Sequence, residues 1–263
     1  MLKRELKINL KSLIIWTGIL VLMFALIFAI YPSLINEETK YMITKMMDTM
    51  PDDILATFNM DIVGIETAYG WFKTEGYTFL TLIGGLYAAI VGATILVKEE
   101  NDKTIEFLIS KPISRESIVT SKILCGMINI LILSGLVTIV NFICLRNIED
   151  FELKEFLIIS LLPMLLYFML FFITLFLSTF FKKTRSSMSL GIAIVFISYL
   201  MQIIGGMGEK VEFIKNISLF EFVSSRYVIL NNTVDTKYLI AGAVIILLTI
   251  LGTYKRYHDK EFL

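Results

Sequence analysis

Six long apolar runs, parted by shorter polar blocks, set the pattern of this chain. They cover residues 13–31, 77–97, 123–145, 156–181, 188–207 and 238–254. Each is near the ~20 residues a helix needs to cross a bilayer. The first run is too long for a signal peptide, and Tyr31-Pro32 offers no small-residue cleavage site, so it reads as an uncleaved span. Before it, Leu2, Leu6 and Leu10 recur at helical spacing beside Lys3, Arg4, Lys7 and Lys11. That pattern predicts an amphipathic N-terminal helix able to lie flat on the membrane surface. Within the runs, Pro163 predicts a kink. Gly85, Ala89 and Ala93, with Ala88 and Gly92, predict close helix packing, within the chain or against a second copy. Asn129, Ser134, Thr138 and Asn141 lie in one run; an intramembrane Asn there calls for a partner or a cavity.

The polar blocks carry their own patterns. Residues 32–76 form the longest, with partial helical spacing over 40–50 and 53–65, divided by Pro51. Ile54, Leu55, Phe58, Ile62 and Val63 give this block an apolar face, which predicts that 32–76 forms an ordered helical cap; the alternative is a surface helix at the interface with no part in gating. Tyr69, Trp71, Phe72 and Tyr77 crowd the return to the membrane, as aromatics do at the interface. Near the other end, 211–223 is apolar enough to dip into the bilayer, through Phe213, Ile214, Ile217, Phe220 and Phe222. Basic residues divide 15 to 9 in favour of the blocks on the side of both termini. The positive-inside rule therefore places both termini in the cytoplasm of a multi-pass protein of the cell membrane.

Composition agrees. The chain has 263 residues, 56% of them hydrophobic, and a mean hydropathy of +0.76. The fold class expected is all-α integral membrane, one transmembrane domain over 1–263. Twenty-four basic and 24 acidic residues cancel, so nothing points to nucleic acid. Cys125 and Cys144 share one apolar run and read as small buried hydrophobes. His258 stands alone, so no metal site is expected. The chain has no Walker-type glycine loop: the nearest stretch, Gly205-Gly206-Met207-Gly208-Glu209-Lys210, has the wrong spacing and no Ser or Thr after the lysine. No protease or hydrolase motif occurs either. The runs hold almost no ionisable residues, which disfavours a carrier coupled to protons or sodium. Such spans suit amphiphilic cargo better than ions.

The densest block of charge and helix punctuation is 98–122, between the second and third runs. Ile105, Leu108 and Ile109 fall at helical spacing, so 104–110 predicts one short amphipathic helix. Pro112 ends it. Ser114 then caps a new helix, with Glu116 in its first turn. A solvated loop would not need Ile105, Phe107, Leu108 and Ile109 together; they call for a partner surface or the bilayer interface.

This stretch resembles the signature of ABC-2 type ABC transporter permeases. Thr104, Glu106, Leu108, Pro112, Ser114, Arg115 and Lys122 match it; Lys103 departs, standing where a glycine is commoner. The resemblance implies a type V (ABC-2) exporter-like fold of six transmembrane helices with a cytoplasmic coupling helix. It implies an ATP-driven exporter whose permease pairs with a second copy, identical or related, and with two separate ABC ATPase subunits. ATP and magnesium would sit in those subunits, leaving this chain without cofactor or catalytic residue. The ATPase interface expected from it is Ile105, Glu106, Phe107, Leu108, Ile109, Pro112 and Arg115, the apolar side chains as the key and Glu106 and Arg115 as register contacts. The alternative is a six-span membrane scaffold, sensory or immunity protein that does not transport.

Overall fold

The computed structural model describes residues 1–34, 36–51, 54–55, 67–110, 113–148 and 151–261. Six of its helices are long and apolar enough to cross a membrane. They are α1 (Leu2–Leu34), α3 (Ala68–Ile95), α6 (Arg115–Leu145), α7 (Leu153–Ser178), α8 (Thr184–Gly206) and α11 (Thr236–Asp259). Short helices fill the connections: α2 (Glu37–Met47), α4 (Lys98–Asn101), α5 (Ile105–Ile109), α9 (Glu212–Lys215) and α10 (Ser225–Asn231). In the outer segment 32–76, expected as a helical cap, most of 53–65, with Phe58, Ile62 and Val63, lies outside the described residues. The earlier helical stretch of that segment is present as α2, capped by Asn36, and α2 buries none of its residues.

The amphipathic start is not a separate helix lying flat. It runs without a break into the first span, about 50 Å in all. Nothing between Leu2 and Leu13 breaks a helix, and the inward stripe is continuous. Glu5, Leu13, Thr17, Leu20, Phe24 and Phe28 are all buried, so the stripe that packs the span extends back to Glu5. Ile15, Leu22 and Leu26 of the other face are exposed.

α3 and α7 are the most enclosed spans, and α8 and α11 the least. Small residues let α3 and α7 approach. A Cβ on Gly92 would fall 2.3 Å from the Phe171 carbonyl oxygen, and one on Gly84 would fall 2.3 Å from the Tyr167 ring. Tyr167 Oη donates to the Leu80 carbonyl at 2.6 Å. On the other side Ser187 Oγ donates to the Ala93 carbonyl at 2.6 Å, and a Cβ on Gly191 would lie 3.2 Å from the Ala89 oxygen. The small-residue stripe is thus used inside the chain. In α7 the helix is interrupted at Leu162 and restarts with Pro163 in its first turn, as its missing N–H dictates.

The crowded aromatics do not form a belt facing the interface. Tyr69, Phe72 and Tyr77 are buried, and Phe72 pairs with Phe24 of α1 (6.0 Å between ring centroids) and with Phe156 of α7 (5.7 Å). Here α3 widens into a π-helical turn, Phe72–Gly76. Below Tyr69, its hydroxyl and Lys73 Nζ meet the Glu155 carboxylate at 3.1 and 3.3 Å.

The stretch 209–223 folds back along α8. Ser218 Oγ donates to the Ser198 carbonyl and Ser198 Oγ accepts from the Leu219 N–H, both at 2.7 Å. Ser198 lies eight residues before the end of α8, so the segment returns about 12 Å along it. Gly205 permits the approach, since a Cβ there would meet Lys215 N at 2.5 Å. Tyr77 Oη donates to the Val223 carbonyl and ties the segment to α3.

Candidate functional site

The charged stretch between α3 and α6 lies at the end of the bundle that holds both termini. Its centre is α4, a single turn whose consecutive side chains reach three different helices. Glu99 grips Lys122 of α6 with both carboxylate oxygens at 2.7 Å. Glu100 accepts from Lys260, just beyond α11, at 2.5 Å. Asn101 Oδ1 accepts from the Thr184 N–H, at the start of α8, at 3.2 Å.

Lys122 is fully buried. Besides Glu99, its ammonium donates to the Ile95 carbonyl at 2.5 Å, satisfying the last turn of α3 where helix carbonyls lack partners. Glu5 of α1 stands 3.6 Å away and is also buried. One lysine therefore fastens α1, α3, α4 and α6, with two carboxylates around one cation. Buried charges persist only when paired in this way.

α4 ends in a Schellman motif. The Thr104 N–H bonds back to the Glu99 carbonyl at 2.8 Å and the Lys103 N–H to the Glu100 carbonyl at 3.2 Å. This closure needs a left-handed residue, and Lys103 supplies it at φ 55°. It is the position where the family signature favours glycine, and the motif gives the physical reason.

Next come α5 and the start of α6, where most of the expected interface residues lie. Ile105 and Leu108 turn inward, 8% and 4% exposed, and join the protein's own core. Phe107 turns outward at 67% exposure, and Glu106 is exposed beside it. Ile109 closes α5, and Pro112 lies outside the described residues. Ser114 caps α6 by accepting from the Ser117 N–H at 3.2 Å, with Glu116 in the first turn. Arg115 turns to the chain's own tail, its guanidinium donating to the carbonyls of His258 and Lys260 at 2.5 and 2.9 Å. Beside it His258 Nδ1 lies 3.1 Å from Glu116 Oε1, and Lys260 Nζ also donates to the Phe181 carbonyl at 3.0 Å.

This face is made of a pinned turn, a short helix with one outward aromatic and a clamped tail. The family model for ABC-2 family transporter proteins matches residues 1–260. The chain belongs to the ABC-2 transporter family. No curated protein and no solved structure matches it. As an ABC-2 permease it is a multi-pass membrane component of an ABC transporter, and membership of this family implies association with ABC ATPase subunits.

Of this permease's hub, sequence reasoning named Lys122 but missed its partners Glu5 and Glu99, and missed Glu100, Asn101 and Lys260 as well. Glu5 did carry a signal: it is the one acid among the basic residues of 1–12, and it sits on the stripe of Leu13 and Thr17. The polar residues of α6 are only partly answered. Asn129 Nδ2 lies 3.8 Å from Cys125 Sγ, and Asn9 of α1 donates to the same sulfur at 3.7 Å. Ser134 and Asn141 are buried with no hydrogen-bond partner among the described residues.

Proposed function

We propose that this permease is the membrane subunit of an ATP-driven exporter. It forms the pathway with a second permease, identical or related, and is driven by two separate ATPase subunits that hold ATP and magnesium. Both termini and the hub at α4 face the cytoplasm of the cell, as the 15-to-9 division of basic residues favours. The ATPase seats on α5 through Phe107, with Glu106 beside it. Ile105 and Leu108 hold α5 to the bundle from the other side, and Arg115 braces the tail next to it. A push on Phe107 passes through Lys103 into α4, and from there through Glu99, Glu100 and Asn101 into α6, α11 and α8.

The outward Phe107, on the short helix that follows the turn fixed to those helices, carries this reading. Burying a side chain of that size contributes about 1.5–3 kcal/mol. Phe107→Asp removes this and places a charge against an apolar groove, so ATPase binding should weaken by roughly ten- to a hundredfold. Detergent pull-down of the ATPase, with ATP turnover in the complex, measures it. Unchanged retention and turnover would remove α5 as the seat. A wild-type chain that brings down no ATPase at all would favour the scaffold instead.

A further inference from the structure

At the opposite end of the bundle three hollows adjoin. One, about 180 Å³, lies between α3, α8 and the folded-back segment, with Tyr77 and Gln202 in its wall. A second, about 300 Å³, lies beneath α10 and the start of α11. Lys215, Ser224 and Arg226 line both. The third, about 350 Å³, is a groove between α7 and α11 walled by aliphatic side chains alone, among them Leu157, Leu161, Leu165 and Leu239. It shares Leu162 and Val234 with the second hollow, so a polar chamber opens onto an apolar groove. From Leu157 to Leu165 that groove follows α7 for about 12 Å.

The chamber's charges come in both signs. Lys215 and Arg226 stand with Glu221 and Asp235. Glu221 accepts from Gln202 Nε2 at 2.7 Å and lies 3.6 Å from Lys215 Nζ, while Asp235 Oδ1 caps α11 by accepting from the Lys237 N–H at 2.9 Å. Burial pushes the Glu221 carboxyl above the ordinary carboxylate range, against the pull of Gln202 and Lys215. A further cation beside it would relieve that. The rings of Phe222 and Tyr238, 5.3 Å apart in the same wall, offer a cation two aromatic faces.

We infer that chamber and groove together bind one phospholipid whose headgroup carries both a phosphate and an ammonium. The acyl chain lies in the Leu157–Leu165 groove, the phosphate meets Lys215 and Arg226, and the ammonium meets Glu221, Asp235 and the aromatic pair. The aliphatic groove selects a lipid over a soluble phosphate. The paired signs select a zwitterion over an anionic lipid, which would set its bare charge against two carboxylates.

Native mass spectrometry of the full chain in detergent tests this with phosphatidylethanolamine, phosphatidylglycerol and diacylglycerol. One phosphatidylethanolamine should be retained at least about tenfold more tightly than either of the others, the ratio expected for one charge-assisted contact. Arg226→Gln should weaken it about tenfold through the phosphate. Leu161→Trp should weaken it by filling the groove, and Leu161 is 43% exposed, so this variant keeps its fold. Equal retention of phosphatidylethanolamine by both variants would overturn the site. Retention of phosphatidylglycerol or diacylglycerol as tight as that of phosphatidylethanolamine would overturn the zwitterion. Neither result depends on an ATPase being present.

Discussion

Lys122 shows what one residue does here. An ammonium with no access to solvent donates to the Ile95 carbonyl and the Glu99 carboxylate and forms an ion pair with Glu5, so carboxylates from two helices, α1 and α4, converge on it. Removing one member of a buried ion group leaves the others uncompensated, typically at about 3–5 kcal/mol. Lys122→Met should therefore destabilise the permease by that order, and adding Glu99→Gln should recover part of the loss, because it removes one of the stranded charges. Unfolding in a denaturing-detergent titration measures both. Equal midpoints for wild type and Lys122→Met would mean the group is not a fastening. Lys103 gives the opposite case. A left-handed lysine costs roughly 1–2 kcal/mol relative to a residue without Cβ. Lys103→Gly should raise the thermal midpoint while leaving the chain's other contacts intact, since Lys103 is exposed. A lower midpoint would show that the lysine side chain is needed there.

Among the elements, the six spans, the break at Pro163, the cap at Ser114 and the fold-back before α11 were all legible, because each follows from local pattern and helix chemistry. What was not legible depends on which face meets which. Leu2, Leu6 and Leu10 looked like a surface-lying face, yet Glu5 lies on the stripe that packs, and its reason, Lys122, is far along the chain. Tyr69, Phe72 and Tyr77 looked interfacial because periodicity shows crowding and not direction; α1 and α7 cover them. In α5 the pattern named the apolar residues but not that Ile105 and Leu108 go inward while Phe107 goes out. The α3–α7 contact permits a direct test. Gly92→Ala drives a methyl into the Phe171 backbone, which cannot yield as a side chain can, so a loss of about 1–3 kcal/mol is expected. Gly135→Ala in α6 meets nothing within 4 Å and should gain up to about 1 kcal/mol from helix propensity. Equal effects from the two would deny that small residues set the α3–α7 distance.

For the whole molecule, the contacts sort the connections into two ends. Residues 1–5, 98–104, 115–122, 181–184 and 258–260 meet through Lys122, Glu99, Glu100, Arg115 and Lys260. At the other end Tyr69 and Lys73 meet Glu155, and Asn232 meets Glu152. This is the division the alternation of six spans requires, and the proposed orientation puts the first end in the cytoplasm, the side the positive-inside rule favours. Three exposed side chains report the orientation: Phe107 at the first end at 67%, and Tyr41 (67%) and Phe213 (64%) at the second. With Cys125 and Cys144 replaced by Ala to remove the native thiols, single cysteines at these positions can be probed in sealed right-side-out vesicles. An impermeant maleimide should label Tyr41→Cys and Phe213→Cys at once and Phe107→Cys only after the membrane is opened. Immediate labelling of Phe107→Cys, with the other two protected, would invert the molecule and put α5 out of reach of any cytoplasmic ATPase. Labelling of Tyr41→Cys alone would instead show that the fold-back before α11 buries Phe213 in the bilayer, which fits its apolar neighbours and leaves the orientation intact.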